Sequence, residues 1–141
     1  MKYKFLIITI FFVILFSAGC STKKGVSFTN LVQDEIVKID MRHPGNGVLY
    51  STTDSKLINQ FVLEMKQGGA DYYETNPMSS VGNGVYVLYN ADNTAIAKIV
   101  FLEKGVVKIN GTYYGVKADT DGILKPFHEE FLKDKNIVKE S

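Results

Sequence analysis

The sequence predicts an α+β domain: a largely antiparallel meander sheet of about five to seven strands packed against one or two helices, in the order ββαβββββα. Three observations predict it. Short runs that alternate apolar and polar residues follow one another, separated by Gly, Asn and Asp, so neighbouring strands are joined by tight turns. Asp54–Gly68 instead repeats its apolar residues at helical spacing. A second helical pattern, ending near Lys133, closes the chain and supplies another cover for the sheet.

The chain opens with two lysines, Lys2 and Lys4, followed by the apolar run Phe5–Phe16, interrupted only by Thr9. Such a run rises about 18 Å as a helix, short of a hydrocarbon core of roughly 30 Å. Its length is that of a signal-peptide core. Ser17, Ala18 and Gly19 then provide the small side chains a signal peptidase needs, directly before Cys20, the only cysteine. "SAGC" resembles the lipobox of bacterial lipoproteins, although Ser17 stands where that family usually has Leu. The resemblance covers residues 1–20. It implies that residues 1–19 are a cleaved signal peptide. It also implies that Cys20 carries a diacylglyceryl group as the first residue of the mature chain, which sits on the extracytoplasmic face of a cell membrane. Two acyl chains give stable anchoring where one gives only marginal binding. Residues 20–27 then read as the lipidated Cys and a short tether; Lys23 and Lys24 add attraction to anionic head groups.

Residues 28–135 read as one domain. Glu35–Arg42 alternates, with Val37, Ile39 and Met41 on one side and Lys38, Asp40 and Arg42 on the other. "HPGNG" turns the chain, and Val48–Thr52 runs back as the second strand of a hairpin. In Asp54–Gly68, Leu57, Ile58, Phe61, Val62 and Met65 form one stripe. Thr53 or Asp54 can cap its start, and Gly68–Gly69 can end it. Strands follow at 70–75, 85–90, 95–103, 106–109 and 112–117, the last pair joined by Asn110–Gly111. Asn-Gly between apolar runs is the strongest short hairpin signal, because both central residues need positive φ. The closing helix runs from Ile123 to about Lys133, with Pro126 in its first turn, where a missing N–H costs little. Residues 136–141 read as a frayed polar tail. The layout resembles that of small lipoproteins of unknown function from low-GC Gram-positive bacteria, a resemblance that implies no activity.

Composition narrows the function. Sixteen Lys and Arg face fifteen Asp and Glu, and the formal net charge is +1. Nucleic-acid binding, which calls for a basic face, is not indicated. One cysteine allows no internal disulfide, so the fold rests on its core, for which 5 Phe and 7 Tyr follow Cys20.

Chemistry-bearing motifs are sparse, and no cofactor is expected. "DTDG" at Asp119–Gly122 resembles part of a calcium loop, but Lys117 and His128 occupy two of the essential ligand positions. The sequence therefore predicts a turn there and no metal site. "YSTTDS" at Tyr50–Ser55 has the residues that helix capping alone selects. His43 falls in a turn and His128 on a helix flank beside Glu129 and Glu130, both expected at the surface. Tyr72–Tyr73 and Tyr113–Tyr114 are adjacent pairs on strands. Neighbours on a strand point to opposite faces, so at least one ring of each pair is expected off the core. These four tyrosines, with Met78 and Val81 of the loop Asn76–Gly84, are the candidate binding residues. They suit a non-enzymatic binding or accessory module whose partner is an envelope protein or a glycan of the cell wall. Two alternatives stand beside it. One is a small envelope hydrolase using His43 or His128 with a carboxylate; the other is an inhibitor or immunity-type lipoprotein.

Overall fold

A computed structural model describes residues 25–45, 47–68, 72–75, 82–102, 105–116, 125–133 and 138–140. Within them the chain runs α1 (Phe28–Leu31), β1 (Lys38–Arg42), β2 (Leu49–Thr52), α2 (Ser55–Gly68) and β3 (Tyr73–Glu74). It continues through β4 (Gly82–Tyr89), β5 (Ala95–Leu102), β6 (Val106–Ile109), β7 (Thr112–Gly115), α3 (Lys125–Lys133) and β8 (Val138–Glu140). The α+β class and the antiparallel sheet agree with the sequence. All the strands join one sheet in the order β3-β7-β6-β5-β4-β1-β2-β8, and every pair is antiparallel.

β4 to β7 form the expected meander. The β1–β2 hairpin joins it through β1, which pairs with β4 from Lys38↔Tyr89 to Arg42↔Val85. The β6–β7 turn is the Asn-Gly turn the sequence signals: Asn110 has φ 49° and Gly111 φ 92°. Asn110 also ties this turn to β5, donating its N–H to the Lys98 carbonyl at 2.9 Å and accepting the Lys98 N–H on Oδ1 at 2.8 Å.

Two expectations are corrected. The tail is not wholly frayed: Val138–Glu140 pairs with Ser51–Leu49 and forms the edge of the sheet beyond β2. Val138–Glu140 is too short a run to read as a strand without its partner. The tether also ends earlier than residue 27. Val26 exchanges two backbone hydrogen bonds with Tyr72, at 2.7 and 3.0 Å, and Ser27 caps α1 by accepting the Asn30 N–H. Cys20, the segment before it, Lys23, Lys24, Met78, Val81, Lys117 and the Asp119–Gly122 motif lie outside the described residues.

The core lies between one face of the sheet and the helices. Phe61 is fully buried at its centre, with ring centroids 5.2 Å from Phe127, 5.6 Å from Tyr86 and 6.5 Å from Phe28. Removing a ring of this kind costs about 3–5 kcal/mol. Ile39, Met41, Leu88, Ile99, Val107 and Ile109 come up from alternate strand positions. Helix α2 begins at Asp54, whose Oδ1 accepts the Lys56 N–H at 2.8 Å and whose carbonyl accepts the Ile58 N–H. Of the hydroxyls before it, Thr52 accepts the Asp54 N–H at 3.1 Å and Ser51 donates instead to Asp40.

Candidate functional site

The strands sort the tyrosines onto two faces. Tyr72 is fully buried; its Oη donates to the Met65 carbonyl at 2.9 Å, satisfying one of the last carbonyls of α2. Burial pushes its phenol pKa well up. Tyr114 is buried as well, its ring edge-on to Tyr72 at 6.2 Å. These two expected binding residues are therefore core residues, because each occupies the inward position of its pair. Tyr113 takes the outward one. Its ring lies 4.7 Å below the Lys108 ammonium, which also donates to its Oη at 3.2 Å. Tyr73 pairs with Gly115, and its side chain lies outside the described part.

Tyr89 is an outward tyrosine that the sequence reading did not select. Lys38 lies 4.7 Å over its ring, and burial and the neighbouring Asp40 push its pKa up. The signal was present: Val85, Val87 and Tyr89 share one side of β4, opposite Tyr86 and Leu88. Across this outer face one register row reads Leu49, Arg42, Val85, Val100, Lys108, Tyr113. In the next row Asp40 accepts the Ser51 hydroxyl at 2.5 Å and pairs with Lys38 at 3.2 Å, which leaves its carboxylate nearly covered.

A second constellation forms where the β1–β2 hairpin meets α3. His43 closes the hairpin link, with its N–H on the Val48 carbonyl and its own carbonyl accepting the Gly47 N–H, both at 3.0 Å. Its Nδ1 accepts the Gly45 N–H at 3.1 Å, which assigns the neutral ring's proton to Nε2. His128 is carried in by its neighbour Phe127, which is fully buried. The two imidazoles lie 6.1 Å apart between centroids, and each is half-buried. The expectation of two separate surface histidines is thereby corrected: the hairpin and the closing helix pack over the same corner of the core. His128 Nδ1 lies 3.5 Å from the Oη of buried Tyr86, a long contact. Burial, and then His43, lower the His128 pKa.

Behind them Glu64 accepts from Gln60 at 3.1 Å and from the Phe127 N–H at 3.4 Å. Burial raises its pKa, and Glu130 adds to the rise. The corner thus holds two imidazoles, a phenol and a carboxylate with a raised pKa. Such a set can accept, hold and pass a proton near neutral pH.

No family of known proteins, no curated protein and no solved structure matches this chain. Among the described residues no three His, Cys, Asp or Glu side chains come together in a way that holds a metal ion, and no helix is long and apolar enough to cross a membrane. Two open clefts flank α2. One, of about 320 Å³, is lined by Asp54, Lys56, Leu57, Glu130 and Lys133. The other, of about 350 Å³, lies against α1 and includes Phe28, Glu35, Ile58 and Lys66.

Proposed function

We propose that the chain is a membrane-anchored extracytoplasmic lipoprotein, lipidated on Cys20, whose domain is a non-enzymatic binding or accessory module for an envelope protein or a cell-wall polymer. The observation that carries this reading is the N-terminal series itself: Lys2 and Lys4, the apolar run Phe5–Phe16, small residues 17–19 and then the only cysteine. The packing after it is consistent. The domain is tied down from Val26, so six links separate the proposed lipid from the folded chain. That is a reach of at most about 22 Å. Mass spectrometry of the mature N-terminal peptide tests the anchor, which requires a chain that begins at Cys20 and carries diacylglyceryl mass. Capture of envelope material on the purified protein tests the module. A specific protein or glycan is the expected result, and none recovered counts against it.

A small hydrolase is the second reading, favoured by the 6.1 Å approach of His43 to His128 and by Tyr86 and Glu64 beside them. It predicts that His128→Gln and His43→Gln each abolish turnover of envelope material while leaving partner capture intact. Capture lost with no turnover in the wild type would reject it.

A further inference from the structure

We propose that the outer face of the sheet is a docking surface for an anionic lipid bilayer, on which the domain lies with its helices turned away. The proposal rests on the lipid anchor at Cys20 and specifies how the anchored domain is oriented.

The first support is the one-sided cover of the sheet. All three described helices pack on the inner face, through Phe28 on Tyr72, Phe61 and Phe127 on Tyr86, and Phe131 on Tyr50. No described helix lies on the other side. There Val85, Val87 and Val100 are only half-buried, between Tyr89 and Tyr113.

The second support is charge segregated by layer. The rows of the outer face carry Lys38, Arg42, Lys98 and Lys108 against two carboxylate residues: Asp40, already engaged by Lys38 and Ser51, and Glu140, which ends the row of Arg42 beyond Leu49. The helix layer carries Asp34, Glu35, Asp54, Glu64, Glu129 and Glu130 against Lys56, Lys66, Lys125 and Lys133. The chain as a whole is close to neutral, so composition does not produce this division. In the field of an anionic surface it turns one face inward and the other outward.

The third support is shape. Arg42 and Lys108 share one register row but stand three strands apart, about 14 Å. Cations spread this widely over a flat face match a plane of head groups better than one small anion. Tyr89 and Tyr113, each beneath a lysine ammonium, are the aromatic type enriched at membrane interfaces.

The fourth support is the attachment point. Val26 pairs with Tyr72, just before the edge strand β3, and Tyr113 lies on the neighbouring strand β7. A tether of about 22 Å at most, joined at a sheet edge, keeps this face within tipping distance of the membrane. The short link also keeps the local concentration of head groups high, so weak contacts suffice.

The test uses the full lipidated chain in vesicles. Cys20 is the only natural cysteine, and lipid consumes its thiol, so one introduced cysteine takes a fluorophore alone. Val100→Cys places it on the outer side, in the register row of Arg42 and Lys108, at a half-buried position that alters no charge. Leu63→Cys, 53% exposed, places it on the helix layer. Vesicles of phosphatidylcholine, alone or mixed equally with phosphatidylglycerol, carry a lipid-borne quencher. On mixed vesicles the label at position 100 is expected to be quenched several-fold more than the label at 63. The double variant Lys98→Gln, Lys108→Gln, checked for native circular dichroism, is expected to reduce that contrast to its level on phosphatidylcholine. Equal quenching at the two positions on mixed vesicles overturns the proposal. So does a contrast that is the same on phosphatidylcholine alone, or that the double variant leaves intact. Soluble polyphosphate shielding position 100 while vesicles do not would also overturn it, pointing to a polymer ligand. A failed anchor shows separately, as an N-terminal peptide without lipid mass. The labelled chain is then added to the same vesicles from solution, where the same contrast supports docking and its absence overturns it.

Discussion

His43 and His128, brought from the first hairpin and the last helix, face each other at 6.1 Å between ring centroids over the buried Tyr86. His128 makes that corner of the domain sensitive to protons. An unfolded chain binds a proton on His128 near its ordinary value of 6.5, whereas the folded domain binds it only at lower pH, because the ring is partly buried and His43 is beside it. Between those two values the unfolded state holds more protons. His128 therefore destabilises the fold progressively as pH drops below about 6.5. Glu64 works in the opposite direction nearer its own range, since its raised pKa favours proton uptake by the folded state. His43, Tyr86 and Glu130 complete the titratable surroundings. Urea midpoints measured from pH 7.5 down to 5.5 are expected to fall for the wild type and to fall less steeply for His128→Gln. Parallel curves for the two proteins would contradict this account.

Tyr72→Phe isolates one hydrogen bond. The variant keeps the ring between Phe28 and Tyr114 and removes only the donor to the Met65 carbonyl. That carbonyl belongs to the last turn of α2 and is left without this partner in a buried setting. A loss of about 1–3 kcal/mol is expected from chemical denaturation. Hydrogen exchange should quicken first toward the C-terminal end of α2.

Gly111→Ala tests the β6–β7 turn. No atom would meet the new Cβ within 4 Å, so any cost comes from the backbone φ of 92°. A destabilisation of about 1–2 kcal/mol is expected. Gly111→Asn, a residue that tolerates positive φ better, should recover part of it.

Truncation after Ile137 tests the last strand. Residues 138–140 pair with Leu49, Tyr50 and Ser51, so their removal leaves β2 as an edge. Amide exchange in β2 is expected to accelerate and stability to fall by about 1–3 kcal/mol. An unchanged exchange pattern would restore the reading of a frayed tail.

Local features were legible where one element determines itself. The α2 stripe from Leu57 to Met65, its Asp54 cap and the Asn110–Gly111 turn follow from spacing and backbone preference alone. What the sequence did not show depends on partners far along the chain. Val138–Glu140 is a strand only because β2 has a vacant side, and Val26 is fixed only because Tyr72 presents its backbone. The tyrosine pairs show the same limit. Alternation states that Tyr113 and Tyr114 part company; only the packing of α2 against the sheet tells which of them goes inward. The histidine pair was least visible, since its two rings meet through packing and share no motif.

The pairing of Val26 with Tyr72 has a mechanical meaning. Any pull on the N-terminal end of the domain enters the fold there, through two hydrogen bonds spanning a single bridge. Two residues further on, Phe28 is wedged among Phe61 and Tyr72 and is almost wholly buried. If the bridge parts, the load passes to that ring, which acts as a stopper and must leave the core before strain can reach the central strands.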